Sequence, residues 1–299
     1  MSRALFAPPR ASRLGFLHAR RGSPCRNLLI ALDLAGRRVA VQLCRSMPHV
    51  DVSKMPVIEQ DEEGYRYSNE PFQLADFVLP SAGRVLDIGT GCGVIPILLA
   101  AREPRLEIAA VEIQKPLYDA AVHNVARNGL SETIEVVFGD FTVLAPTLGT
   151  FDVIVSNPPY RKINSGRINP NRVKAVARHE LALTLPALVE RSFPLLKPGG
   201  RIVLSYPMHR LEETRRLLKL NRMSPRRLRL VHGCRGGEAK FFVIEAVRGQ
   251  TDGNIAEESL CVYNPDGSYS REMKSIYASF NYLGRSHRIG KKRDGACAG

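Results

Sequence analysis

From residue 84 onward, short β-rich apolar runs alternate with longer stretches whose apolar residues recur at helical spacing. Arg84 to Ile88 reads as a strand, Val94 to Arg102 as a helix, and Glu107 to Glu112 as a second strand. Lys115 to Asn128 reads as a second helix, closed by Gly129 at its C-cap. Ile134 to Phe138 and Phe151 to Ser156 give two more strands, and Leu181 to Leu196 a helix that carries Pro186 and Pro194. Arg201 to Ser205 is a fifth strand and Leu211 to Leu220 a helix; Leu228 to Val231 and Phe241 to Ala246 form a closing hairpin. Alternating strands and helices imply parallel pairing, hence a doubly wound, mostly parallel α/β sheet of seven strands ending in an antiparallel hairpin. Ahead of it, Pro71 to Val78 has apolar residues at helical spacing and a proline suited to a first turn, which predicts a short helix packed beside the sheet.

Two places interrupt this pattern in a chemically informative way. Leu86-Asp-Ile-Gly-Thr-Gly-Cys-Gly93 joins the first strand to the first helix, and Gly89, Gly91 and Gly93 allow a tight turn and close approach of backbone to a ligand. Glu112, 21 residues beyond Gly91, ends the next strand, where a carboxylate can accept bonds from both hydroxyls of a ribose. The second place is Asn157-Pro-Pro-Tyr160. Its prolines stop a buried strand abruptly and stiffen an amide and an aromatic ring at the carboxyl edge, where open α/β sheets bind ligands.

The residue types suit one chemistry. An amine conjugated to a ring or carbonyl is a poor nucleophile because its lone pair is delocalised. The Asn157 side-chain oxygen and the Pro158 carbonyl are two acceptors for its N–H groups, which favours the pyramidal form and aims the lone pair. Tyr160 can stack on a planar base. Pro159 keeps the segment rigid.

Charge narrows the partner. The chain of 299 residues carries a formal net charge of +14, with 44% apolar and 24% charged residues. Residues 1–50 hold nine arginines against one acid, Asp33, a composition that fits a disordered basic tail, sequence upstream of a start at Met47 or Met55, a targeting segment or an ordered helix. Between Arg161 and His179 lie Arg161, Lys162, Arg167, Arg172, Lys174 and Arg178 with no acid, which suits a phosphate backbone. The six cysteines are dispersed and no histidine pairs at metal spacing, so reduced thiols and no metal are expected. The apolar run Val94 to Ala101 is far short of the roughly 18 residues of a membrane span. These features give three parts: a basic extension over 1–55, a catalytic domain over 56–282 and a basic tail over 283–299, in a cytoplasmic monomer unless the extension directs it to an organelle.

The Asp-x-Gly-x-Gly-x-Gly turn resembles the first motif of class I S-adenosylmethionine-dependent methyltransferases. That resemblance implies that Asp87, Gly89, Gly91 and Gly93 face the amino-acid part of the cofactor and Glu112 its ribose. It also implies that Asp140 accepts the adenine amine, and that Ile113 or Phe141 packs on the adenine ring. Asn157-Pro-Pro-Tyr160 resembles the signature of amino-group methyltransferases, which act on adenine, guanine or glutamine. With Gly166-Arg167, Asn169-Pro170, Ala177-Arg-His-Glu180, Gly64-Tyr-Arg-Tyr-Ser68, Val262-Tyr263, Asp266-Gly-Ser-Tyr269 and Glu272-Met273, the chain is similar to the bacterial valine tRNA adenine-37 N6-methyltransferases over about residues 57–280. The resemblance implies N6-methylation of an anticodon-loop adenine in a tRNA. Where that family usually has Asp two residues after the Ser68 position, this chain has Glu70. The rival readings are a protein glutamine methyltransferase and a non-catalytic RNA-binding module.

Overall fold

The computed structural model describes residues 56–59, 69–79, 83–158, 183–249 and 255–282, together with the backbone of 28–32 and 38–42. The chain divides into two units, Met1–His49 and Val50–Gly299. In the first, β1 (Leu28–Leu32) and β2 (Arg38–Gln42) pair antiparallel, in a stretch where the sequence pattern assigns no strand.

The second unit is built on an eight-stranded sheet. Its strands are β3 (Gly83–Ile88), β4 (Leu106–Glu112), β5 (Ile134–Phe138), β6 (Phe151–Ser156), β7 (Leu196–Pro207), β8 (Met223–Cys234), β9 (Ala239–Arg248) and β10 (Ala256–Tyr263). Their order is β10-β8-β9-β7-β6-β3-β4-β5. β3 to β7 run parallel, and β9 is antiparallel to both β7 and β8, as the sequence pattern predicts. The eighth strand, β10, adds parallel to β8 at the edge. Its first four residues, Ala256-Glu-Glu-Ser, are exposed and three of them are polar, so the periodicity that marks a strand is missing from half its length.

Alternation along each strand sends side chains to opposite faces, and each face has its own helices. Val85, Ile108 and Ala110 pack with α1 (Glu70–Phe77), α2 (Val94–Arg102), α3 (Lys115–Arg127) and α7 (Arg271–Ser279). Leu86, Ile88, Val111 and Ile154 pack with α4 (Phe141–Leu144), α5 (Leu185–Leu195) and α6 (Leu211–Leu220). The chain steps outward from β3 to β4 and β5, then returns to place β6 on the other side of β3. That reversal makes the crevice beyond the ends of β3 and β6 the topological switch point, the place where such sheets bind ligands.

α1 is fastened by arginines along its C-terminal half, whose last carbonyls lack intrahelical partners. Arg229 donates to Gln73 O at 3.1 Å, Arg102 to Ala75 O at 3.1 Å and Arg227 to Phe77 O at 2.9 Å. The Arg227 and Arg229 guanidinium groups also lie 4.0 and 5.0 Å from the Phe77 ring centroid. Phe72, Leu74 and Phe77 are buried beneath them, each contributing about 2 kcal/mol of apolar burial.

Candidate functional site

Four chain segments leave the sheet at one edge. Gly89–Gly93 follows β3, Ile113 follows β4, Gly139–Asp140 follows β5 and Asn157 follows β6. The edge is held level by short bonds: Gly89 N–H donates to Val111 O at 2.9 Å, Gly139 N–H to Glu112 O at 2.9 Å, and Ser156 Oγ to Ile88 O at 2.7 Å.

The turn after β3 needs its glycines. Gly89, Gly91 and Gly93 have φ of 75°, 61° and 84°, which is costly for a residue with a Cβ. A Cβ on Gly91 would meet no atom within 4 Å, so the protein leaves open space on that side of the turn. The Gly91 N–H donates to Glu112 Oε2 at 2.9 Å, and the Gln114 N–H to Oε1 at 2.8 Å. Glu112 is thus fixed by two backbone donors, and each oxygen keeps a lone pair for another hydrogen.

Asp87 is the least satisfied group in the site. It is fully buried, and neither carboxylate oxygen has a hydrogen-bond partner. Burial pushes its carboxyl up to about 7; the nearby Thr90 hydroxyl offsets part of the rise, without the geometry of a full hydrogen bond, and the Glu112 charge adds to it. The Thr90 hydroxyl and Asn157 Oδ1 are likewise buried without a partner. Buried polar groups are otherwise bonded, so these acceptors at the sheet edge suit the donors of a ligand. Burial pushes the Cys92 thiol up to about 11, which removes it as a nucleophile.

Asp140 takes two roles. Its Oδ1 caps α4 by accepting from Thr142 N–H and from Thr142 Oγ1, each at 2.8 Å, which leaves Oδ2 for an outside donor. Phe141 is buried behind it, and Ile113 is half-buried at the end of β4. Asp87, the three glycines, Glu112, Ile113, Asp140, Phe141, Asn157 and Pro158 are therefore gathered at one edge of the sheet. Pro159, Tyr160, Arg161, Lys162, Arg167, Arg172, Lys174 and Arg178 lie outside the described residues, as do the Arg178-His-Glu180 run and Ser68.

The sequence reading missed Thr90, although it stands inside the glycine turn, and it missed Ser156, whose hydroxyl joins β6 to β3. Cys92 and Cys261 are free thiols. Among the described residues no three His, Cys, Asp or Glu side chains form a metal-binding group, and no helix is long and apolar enough to cross a membrane.

Comparison with known proteins places this architecture. The methyltransferase small domain model matches residues 72–206. A tRNA1(Val) (adenine(37)-N6)-methyltransferase of Porphyromonas gingivalis is 35% identical over 201 residues, covering 65% of this chain and 78% of the relative. The protein of the same description from Tolumonas auensis is 30% identical over 226 residues, covering 75% of this chain and 92% of the relative. Among solved structures, a predicted O-methyltransferase of Agrobacterium tumefaciens superposes with a TM-score of 0.57 at 17% identity. That superposition covers 70% of this chain and 96% of the other, a likeness of fold alone.

Proposed function

The chain belongs to the tRNA1(Val) (adenine(37)-N6)-methyltransferase family, and on that premise we propose that it transfers a methyl group from S-adenosylmethionine to the exocyclic amine of an anticodon-loop adenine, adenine 37 of valine tRNA. It acts as a monomer in the cytosol, through a domain spanning 56–282. The observation that carries this reading is the pair of orphaned acceptors at the ends of adjacent strands, the Asp87 carboxylate in the last two residues of β3 and Asn157 Oδ1 just after β6.

The residues present fit the cofactor. A buried carboxylate without a partner suits an ammonium group, which would stabilise its ionised form as solvent cannot. The free lone pairs of Glu112 suit two ribose hydroxyls, and Asp140 Oδ2 suits an adenine amine beside the Phe141 and Ile113 side chains. When bound, S-adenosylmethionine supplies a methyl group on a positively charged sulfur. The protein does the rest by placement. Asn157 Oδ1 and the Pro158 carbonyl accept the two N–H hydrogens of the adenine amine, which localises its lone pair and orients it. Tyr160 stacks on the base once it has left its own stack, and Pro159 holds the segment stiff. No base is needed before transfer, because the amine attacks in its neutral form. Arg161, Lys162, Arg167, Arg172, Lys174 and Arg178 bind the phosphates around the flipped base.

Asn157→Ala tests the assignment. Removing an acceptor used in the transition state should lower kcat by at least about a hundredfold, with S-adenosylhomocysteine affinity within about threefold of wild type. A variant that retains full turnover would overturn the role given to Asn157.

A further inference from the structure

Beside the cofactor turn, one buried side chain makes more bonds than holding its own helix requires. Asn124 sits in α3 with no exposed surface. Its Nδ2 donates to the Cys92 carbonyl at 2.9 Å and to the Glu59 carbonyl at 3.0 Å, and its Oδ1 accepts from the Glu59 N–H at 2.9 Å. Three of the four hydrogen bonds open to a carboxamide are thereby used. One turn later Asn128 repeats the pairing on Val57: its Oδ1 accepts from the Val57 N–H at 2.9 Å and its Nδ2 donates to the Val57 carbonyl at 2.7 Å.

Two side chains thus do for residues 56–59 what a neighbouring strand would do, satisfying alternate backbone groups of an extended segment. The Glu59 carboxylate completes the grip, 3.1 Å from His123 Nε2 and 2.7 Å from Arg127. Residues 123, 124 and 127 of α3 and its C-cap, 128, form one stripe, so the segment lies along that stripe as a strap.

The strap and the cofactor turn meet in Asn124. Cys92 lies between Gly91 and Gly93, at the most permissive part of the backbone, where φ is 61° and 84°. A bond to the Cys92 carbonyl removes freedom where the turn has most of it. We propose that Asn124 is a positioning residue for the cofactor, holding the glycine turn in its binding shape through Cys92, and that the strap at residues 56–59 locks Asn124 in place. Cofactor binding and strap seating are then coupled, and by reciprocity each tightens the other. This inference rests on the reading of the glycine turn as the cofactor site.

The test uses the full chain and S-adenosylhomocysteine. Wild type should bind it in calorimetry, and binding should slow hydrogen exchange at the Val57 and Glu59 amides about tenfold. Asn124→Ala should bind it about tenfold more weakly, the size expected for losing a buried hydrogen bond, and lose that exchange response, with the effect in cofactor KM rather than kcat. Asn128→Ala frees Val57 but leaves the Cys92 bond, so it should weaken binding less than threefold by the same scale. A purely structural clamp would lower the melting temperature of both variants and leave affinity and exchange response unchanged. Wild-type affinity in a folded Asn124→Ala, or exchange at 57 and 59 indifferent to ligand, overturns the proposal. If Asn124→Ala does not fold, the wild-type exchange response and Asn128→Ala decide it alone. Failure of wild type to bind the ligand at all refutes the cofactor site itself, and the coupling with it.

Discussion

Replacing Asp87 by asparagine separates what the site costs the fold from what it does for the ligand. In the unfolded chain the Asp87 carboxyl titrates near 3.8, and in the fold burial raises it to about 7. Between those values the folded protein holds a proton that the unfolded chain has lost. Its contribution to stability is therefore fully present below about pH 4 and is lost as pH rises to 7. The span corresponds to roughly 4 kcal/mol at full ionisation. Asparagine has nearly the same shape and never ionises, but its own N–H groups stay buried and unpaired. It should therefore recover about 2–3 kcal/mol of that penalty at pH 8 and almost none at pH 5. For a domain of this size the gain raises the melting temperature by on the order of 5–10 °C. The ligand responds in the opposite direction. Wild-type affinity for S-adenosylhomocysteine should rise about tenfold per pH unit up to about pH 7 and then level, whereas Asp87→Asn should bind weakly with no such slope. Thermal unfolding and calorimetry at pH 5, 6, 7 and 8 measure both. A variant no more stable than wild type at pH 8, or one that keeps wild-type affinity, would refute the account of Asp87.

Two further substitutions test neighbouring parts of the structure. Gly91→Ala puts a Cβ into space empty to 4 Å at a φ of 61°, so folding should lose only about 1 kcal/mol of backbone strain. Cofactor affinity should fall at least about tenfold if a ligand occupies that space, and a loss no larger than the stability change in denaturant would show that the turn meets no ligand. Glu245→Ala removes a buried carboxylate 3.1 Å from Arg201 and 3.6 Å from Arg227. Those arginines keep 20% and 25% of their side-chain surface in water. Urea unfolding should therefore show a loss of roughly 2 kcal/mol, below the 3–5 of a fully buried pair. Methyl transfer by the folded variant should stay within about twofold of wild type, a change under roughly 0.5 kcal/mol in the barrier.

Much of the site was legible because its parts are local. A strand, a glycine turn, a helix and a carboxylate 21 residues on are a pattern within one βαβ unit, and Asp87, Gly91 and Glu112 stand where that pattern puts them. Helix α6 matches its predicted limits, Leu211 and Leu220, because its apolar stripe is clean. What escaped was made by partners distant in sequence. Asn124 on α3 and Asn128 at its C-cap, four apart, read as an ordinary polar face until residues 65 and 71 positions away pair with them. The arginines of β8 that cap α1 act across about 150 residues. Helix α7 was passed over because only Met273 and Ile276 of its nine residues are buried, too few to mark a stripe, although Ser270 caps it by accepting from the Met273 N–H at 2.9 Å. The two acceptor atoms that define the chemistry, on Asp87 and Asn157, were named from sequence, but that both are buried without a partner is visible only in the fold.

The central claim is that this site methylates one adenine amine in a tRNA. The direct measurement incubates the full chain with methyl-labelled S-adenosylmethionine and total tRNA, with DNA and total protein in parallel, and maps the labelled nucleoside by digestion and mass spectrometry. The account predicts N6-methyladenosine at position 37 of valine tRNA, absent when Asn157 is alanine. Label in protein glutamine, in DNA or at another nucleoside, or no label in any of the three, would contradict it.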